Sequence, residues 1–178
     1  MFLKALKEKI KFRAGKKFLQ RGLNTPSEVV HREKGISSIG CIVDLDEFEN
    51  ANAFYEFVDE FSLRPNSVKI IGYKKYYDKN SPYSTPVFSD KDLGWKANIE
   101  NSYALEFLNR EYDLLVNYYT DEKLLLQLMT LKTRARLKVG FGNVDKNLND
   151  LILNTPIKDF QTFKKELRKY LRVLNEIK

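Results

Sequence analysis

Two carboxylates, Asp44 and Asp46, stand one residue apart directly after the apolar run Ile36-Ser-Ser-Ile-Gly-Cys-Ile-Val43. Carboxylates at a strand tip can hold a magnesium ion, and one of them can attack a phosphoryl group. The pattern is incomplete for that chemistry: Phe48 stands where phosphotransfer motifs of this type place Thr or Val, and no pair of aspartates follows a later strand. The alternative is acids favoured at a helix N-terminus by the macrodipole. Gly140-Phe-Gly142-Asn143 follows another apolar run, and glycines there allow backbone N–H groups to approach a phosphate. It lacks the Gly-Lys-Ser/Thr of a P-loop and the third glycine of a dinucleotide site, so a simple turn competes with the phosphate reading.

Arg134, Arg136 and Lys138 alternate with Ala135, Leu137 and Val139. Strand periodicity puts the three cations on one face, where they can meet phosphates, protect an edge strand, or cover apolar surface with their stems. Residues 73–83 mix Lys74, Lys75 and Lys79 with Tyr73, Tyr76, Tyr77 and Tyr83. Cations with exposed rings suit single-stranded RNA; the alternative is tyrosines packed on the body. The single His31 and single Cys41 leave little material for zinc or thiol chemistry, and Cys41 reads as a small buried hydrophobe. No metal or other cofactor is expected. The lone cysteine favours a reducing, cytoplasmic setting.

Charge is distributed unevenly. Residues 1–34 carry ten basic and three acidic side chains, so the net charge of +7 lies wholly there and the remaining residues balance. Residues 35–63 carry seven acids and no Lys or Arg; residues 130–178 carry twelve basic groups against five acids. Basic ends of this kind can meet phosphate, an anionic membrane surface, or the chain's own acids.

The elements that must position these residues can be read from periodicity. Residues 2–20 predict a helix with Leu3, Leu6, Ile10, Ala14 and Phe18 as its apolar stripe, weakened at Gly15 and ended by Gly22 and Asn24-Thr25-Pro26. Strands are expected at 36–43, 68–73, 113–119, 135–141 and, more briefly, 151–153. Helices are expected over 51–61, from 101 or 102 to 110, after Thr120, and over about 159–177. Residues 74–100 show no clear period. At 43% hydrophobic and 31% charged, 178 residues can build a real core, and no apolar run reaches the roughly 20 residues of a membrane span. The pattern predicts an α/β fold: three layers, a mostly parallel sheet of four to five strands with helices on both faces, plus the basic N-terminal helix. The organisation expected is a helix and connector at 1–34 and one α/β domain at 35–178. Such sheets bind ligands at the carboxyl ends of their strands. There Asp44, Asp46, Tyr73, Trp95, Gly140, Gly142 and Asn143 form a candidate pocket.

Tyr112-Asp-Leu-Leu-Val116 and Arg136-Leu-Lys-Val-Gly-Phe141 resemble a strand–helix–strand unit in the N-terminal half of GT-B glycosyltransferases of the heptosyltransferase kind. The likeness covers residues 112–141 and implies shared α/β architecture without glycosyl transfer. The whole chain more nearly resembles a group of small uncharacterised bacterial proteins. The resemblance rests on the basic N-terminal helix, Phe88-Ser-Asp-Lys-Asp-Leu-Gly-Trp95 and the strand from Arg136 to Gly140. It implies a cytoplasmic single-domain protein and supplies no activity. The functional expectation is a non-enzymatic protein contacting RNA or a ribonucleoprotein through Lys7, Lys11, Lys16, Lys17, Arg134, Arg136 and Lys138, with peripheral membrane contact less favoured. The alternative is an enzyme-like domain handling a phosphorylated small molecule or nucleotide at the strand tips. Oligomeric state is not legible.

Overall fold

A computed structural model describes residues 2–26, 30–78, 80 and 83–178. Six parallel strands form one sheet in the order β3-β2-β1-β4-β5-β6. They are β1 (Ile39–Asp44), β2 (Val68–Tyr73), β3 (Val87–Phe88), β4 (Glu111–Tyr118), β5 (Arg134–Phe141) and β6 (Leu151–Leu153). The expected four to five strands thus become six, all parallel. The unforeseen one is β3, whose two residues are too short to show a period. β1 and β4 are buried along nearly their whole length, as the continuous apolar runs require.

Among the described residues there are five α-helices, α1 (Phe2–Leu23), α2 (Glu56–Glu60), α3 (Ser102–Leu108), α4 (Leu124–Lys132) and α5 (Phe160–Val173), with α1 packed on α4. One core lies beneath α2 and α5, where Phe54, Phe57, Tyr118, Phe160 and Phe163 pack. The other lies beneath α1, α3 and α4, around Ile42, Ile71, Leu115, Leu125 and Met129. Asn101 caps α3, accepting the Ala104 N–H, and Asp159 caps α5, accepting that of Thr162. The 74–100 segment is built from β3 and short 3₁₀ turns, with the Ser89–Asp92 capping box fixing one of them.

The N-terminal helix packs on a face other than the one its apolar stripe predicts. Gly15 and Leu19 are its buried residues, while Leu3, Leu6, Ile10 and Phe18 are exposed and Ala14 is half-buried. The helix ends at Leu23, between Gly22 and Asn24-Thr25-Pro26, where the sequence places its stop. A side chain at Gly22 would overlap Leu131 of α4, and one at Gly15 would come within 3.1 Å of Leu124. Gly15, Leu19 and Gly22 follow the i, i+4, i+7 spacing of one helix face. Backbone approach at two glycines therefore selects the docking face over the larger apolar stripe.

Candidate functional site: strand-tip charges and a basic surface

In this strand order β2 and β3 lie to one side of β1 and β4 to the other, so the topological switch falls between β1 and β4. At that point the Asp44 side chain is fully buried. It accepts the Asp46 N–H at 3.0 Å and forms an ion pair with the Lys123 ammonium. Burial raises the Asp44 pKa, opposed by the Lys123 bond and charge. Asp46 lies 3.9 Å from the same ammonium and accepts the Lys75 N–H. Glu47 reaches across the switch to the N–H and hydroxyl of Thr120. Tyr73, buried beside Asp90, Asp44 and Asp46, has its phenol pKa driven strongly upward, first by burial and then by those carboxylates. The Lys123 ammonium sits 5.1 Å from its ring centroid.

Asp44, Asp46 and Tyr73 therefore meet, and Trp95, Gly140, Gly142 and Asn143 lie elsewhere. Trp95 is half-exposed under the Lys11 ammonium of α1, at 5.9 Å. Gly140 leaves room for Asn149, whose side-chain oxygen accepts from Asn117 at 2.7 Å. Gly142 leaves room for Asn154, and Asn143 is exposed beyond the end of β5. Sequence reasoning missed Lys123, the residue that organises the cluster. Its signal is positional: it occupies the N-cap of α4, where the helix dipole disfavours a cation and no side-chain cap bond is made. As it stands, the cluster is a closed charge network with the Asp44 carboxylate already engaged.

The basic residues are arranged differently. Along α1, Lys7, Lys16 and Lys17 are exposed and Lys11 is half-buried. Among the described residues the helix's one ion pair is internal, Lys11 with Glu8 at 3.9 Å. Lys16 lies 5.0 Å from the Phe12 ring centroid. The acid-rich stretch pairs with other elements: Glu56 with Lys164 and Glu60 with Arg168 of α5, Asp44 and Asp46 with Lys123. On β5, Arg134 pairs with Glu111, and Arg136 grips Glu176 with two bonds of 2.6 and 2.7 Å. The Lys138 ammonium donates to the Thr130 carbonyl at 2.7 Å, and burial lowers its pKa to about 8. In the tyrosine-rich segment Tyr73 is buried and Tyr77 half-buried, while Tyr76 and Tyr83 are exposed near Lys75 and Lys74. Lys79 lies outside the described residues.

Helix α1 brings part of this basic set together. Its Phe18 ring lies 4.3 Å from the Lys132 ammonium at the end of α4, and Lys132 lines a cleft with Arg134, Arg136 and Lys138. An aromatic residue of α1 thus touches Lys132, which shares its cleft with the β5 cations more than a hundred positions away in the chain. Cys41 is buried, with its thiol pKa raised by desolvation, and His31 is exposed. No helix among the described residues is long and apolar enough to cross a membrane.

Comparison with curated proteins and with solved structures found no match, so none supports kinship with the GT-B enzymes. Residues 11–174 match the model of a family of unknown function (DUF6913), and the chain belongs to that family.

Proposed function

We propose that this chain is a non-enzymatic polyanion-binding protein, with RNA or a ribonucleoprotein as its partner. The partner lies along the outer face of α1 and continues past Lys132 toward β5. The observation that carries this reading is the partnering of the acids. The acids of residues 44–60 that form ion pairs do so with α4 and α5, and among the described residues none reaches α1. Lys7, Lys16 and Lys17 of α1 are left to solvent, where a row of phosphates gains from counter-ion release. The strand-tip alternative is weaker, because Asp44 is committed to Lys123.

Filter binding of single-stranded RNA at two salt concentrations tests the proposal. The expected result is binding that weakens steeply with salt. The triple charge reversal Lys7→Glu, Lys16→Glu and Lys17→Glu is expected to lower affinity at least tenfold and to flatten the salt dependence by roughly one unit of slope per lost phosphate contact. Binding that is absent, or indifferent to salt and to the triple variant, overturns it.

One observation favours a second reading, an anionic membrane surface. Leu3, Leu6 and Ile10 are exposed among the lysines, and Phe2 beside them is 80% exposed. A cation-flanked apolar stripe can lie in a lipid interface. Co-sedimentation with phosphatidylserine vesicles, lost in Leu6→Glu/Ile10→Glu, would support it; RNA binding unaffected by that variant would favour the first reading.

A further inference from the structure

A cleft of about 270 Å³ opens where the C-terminal end of α4 meets β5 and the segment before β6. Lys132, Arg134, Arg136 and Lys138 line it, together with Asn147 and Asp150. Arg134, Arg136 and Lys138 occupy alternate positions of β5, but the alternation of faces breaks among them, since Ala135 packs into the α4-side core and Leu137 into the α5-side core; Lys132 closes α4.

The four cations are not equivalent. Arg134 is paired with Glu111. Arg136 is held by Glu176 and also donates to the Gly35 carbonyl at 3.0 Å, so its guanidinium is a fixed wall. For Lys132 and Lys138, no carboxylate among the described residues lies within ion-pair distance. The bond from Lys138 to the Thr130 carbonyl uses one of its ammonium's three donors. Lys132 rests against the Phe18 ring. Asp150 is the acid of the lining, and one of its oxygens accepts the Lys138 backbone N–H at 2.7 Å. Burial lowers the pKa of both lysines. Holding two partly desolvated ammonium groups raises the energy of the folded protein; the Asp150 charge offsets part of that at Lys138, and an anion bound between the two groups removes what remains.

We propose that this cleft seats one phosphate group, held between the Lys132 and Lys138 ammonium groups against the Arg136 guanidinium. The inference rests on the polyanion reading, which supplies the phosphate: the cleft begins at the Lys132–Phe18 contact, where the basic helix ends its run over α4. Inorganic phosphate and a phosphate ester of a nucleic acid share the chemistry the site would recognise.

Titration of the full chain with inorganic phosphate by calorimetry at pH 7 and low salt tests the site. Saturable binding is expected. Lys138→Met and Lys132→Gln are each expected to weaken it at least tenfold. Lys138→Met is expected to keep or raise Tm, because it removes a partly desolvated charge whose bond to the Thr130 carbonyl is its one side-chain hydrogen bond among the described residues. If Lys138 serves α4 alone, as a cap on the Thr130 carbonyl, Tm falls and phosphate affinity does not change, which overturns the assignment. So does the absence of phosphate binding by the unaltered chain. Competition with RNA separates this proposal from the one beneath it. Phosphate bound in the cleft while RNA is not bound at all leaves the site standing and removes the polyanion reading. RNA bound equally by the unaltered chain and by Lys138→Met, with no competition from phosphate, removes the site and leaves that reading.

Discussion

Asp44 and Lys17 are both charged, yet one is completely enclosed and the other stands in water on an outer helix. Around the strand tips, charge is consumed inside the molecule: Asp44 and Asp46 converge on Lys123, and Glu47 bridges to Thr120. Along α1, charge is displayed, with a single weak internal pair among the described residues. The difference teaches that charge density alone does not locate a binding surface. The acidic stretch is charged too, with seven acids and no Lys or Arg over residues 35–63, but its pairing makes it part of the architecture. The basic helix is richer in unmet attraction.

The sharpest way to break this comparison is to remove one partner from each region. Lys123→Ala leaves the Asp44 carboxylate buried without its counter-charge and is expected to cost about 3–5 kcal/mol, whereas Lys17→Ala on the exposed face should stay within about 0.5 kcal/mol. Urea denaturation at pH 7 measures both. A Lys123→Ala cost as small as that of Lys17→Ala would show that the strand-tip network is not structural. Reuniting the pair as Asp44→Asn with Lys123→Met should recover much of the loss.

The second test concerns which face of α1 holds it to the body. Leu19→Ala is expected to cost about 2–3 kcal/mol as a buried large-to-small change. Ile10→Ala on the exposed stripe should change stability by less than about 0.5 kcal/mol. Equal effects would mean that the apolar stripe, and not the glycine-lined face, carries the docking.

The third and smallest effect is on pH dependence. Burial works to raise the Asp113 pKa, but bonds from Ser37 and the Arg32 guanidinium outweigh it and hold the carboxyl below its usual range. The Glu176 pKa is lowered chiefly by the Arg136 bond. A depressed carboxyl contributes stability above its unfolded pKa and loses it as pH falls through the folded value, so both groups are expected to weaken the fold in acid. Lys138 has the opposite sign. With its pKa lowered from 10.5 to about 8, it binds fewer protons folded than unfolded between those values, so stability gains from it as pH rises across that window. Denaturation midpoints for Lys138→Met should lack that rise.

Much of the fold is legible in the chain. The runs at 39–44, 68–73 and 111–118 are apolar enough on both faces to announce buried parallel strands, and α5 declares its inward face through Phe160, Phe163, Leu167 and Leu171. Illegible features depend on tertiary partners. The docking face of α1 is decided by Leu131 and Leu124 pressing on two glycines, and a hydrophobic pattern cannot weigh close backbone approach. Of the candidate pocket, Asp44, Asp46 and Tyr73 come together because β1 and β2 are neighbours in register, with Asp44 opposite Tyr73. Gly140 at the end of β5 and Gly142 just beyond it do not join them, since β4 stands between β1 and β5. Glu176 as the partner of Arg136 joins positions forty residues apart, which no local spacing reveals.

The two rims of the sheet are stubs. β3 contributes two residues on one side and β6 three on the other. A neighbouring molecule seeking to extend the sheet by adding its own strand would find only two or three residues of template on either outermost strand. Lateral growth of the sheet through its outermost strands is thus limited by their length.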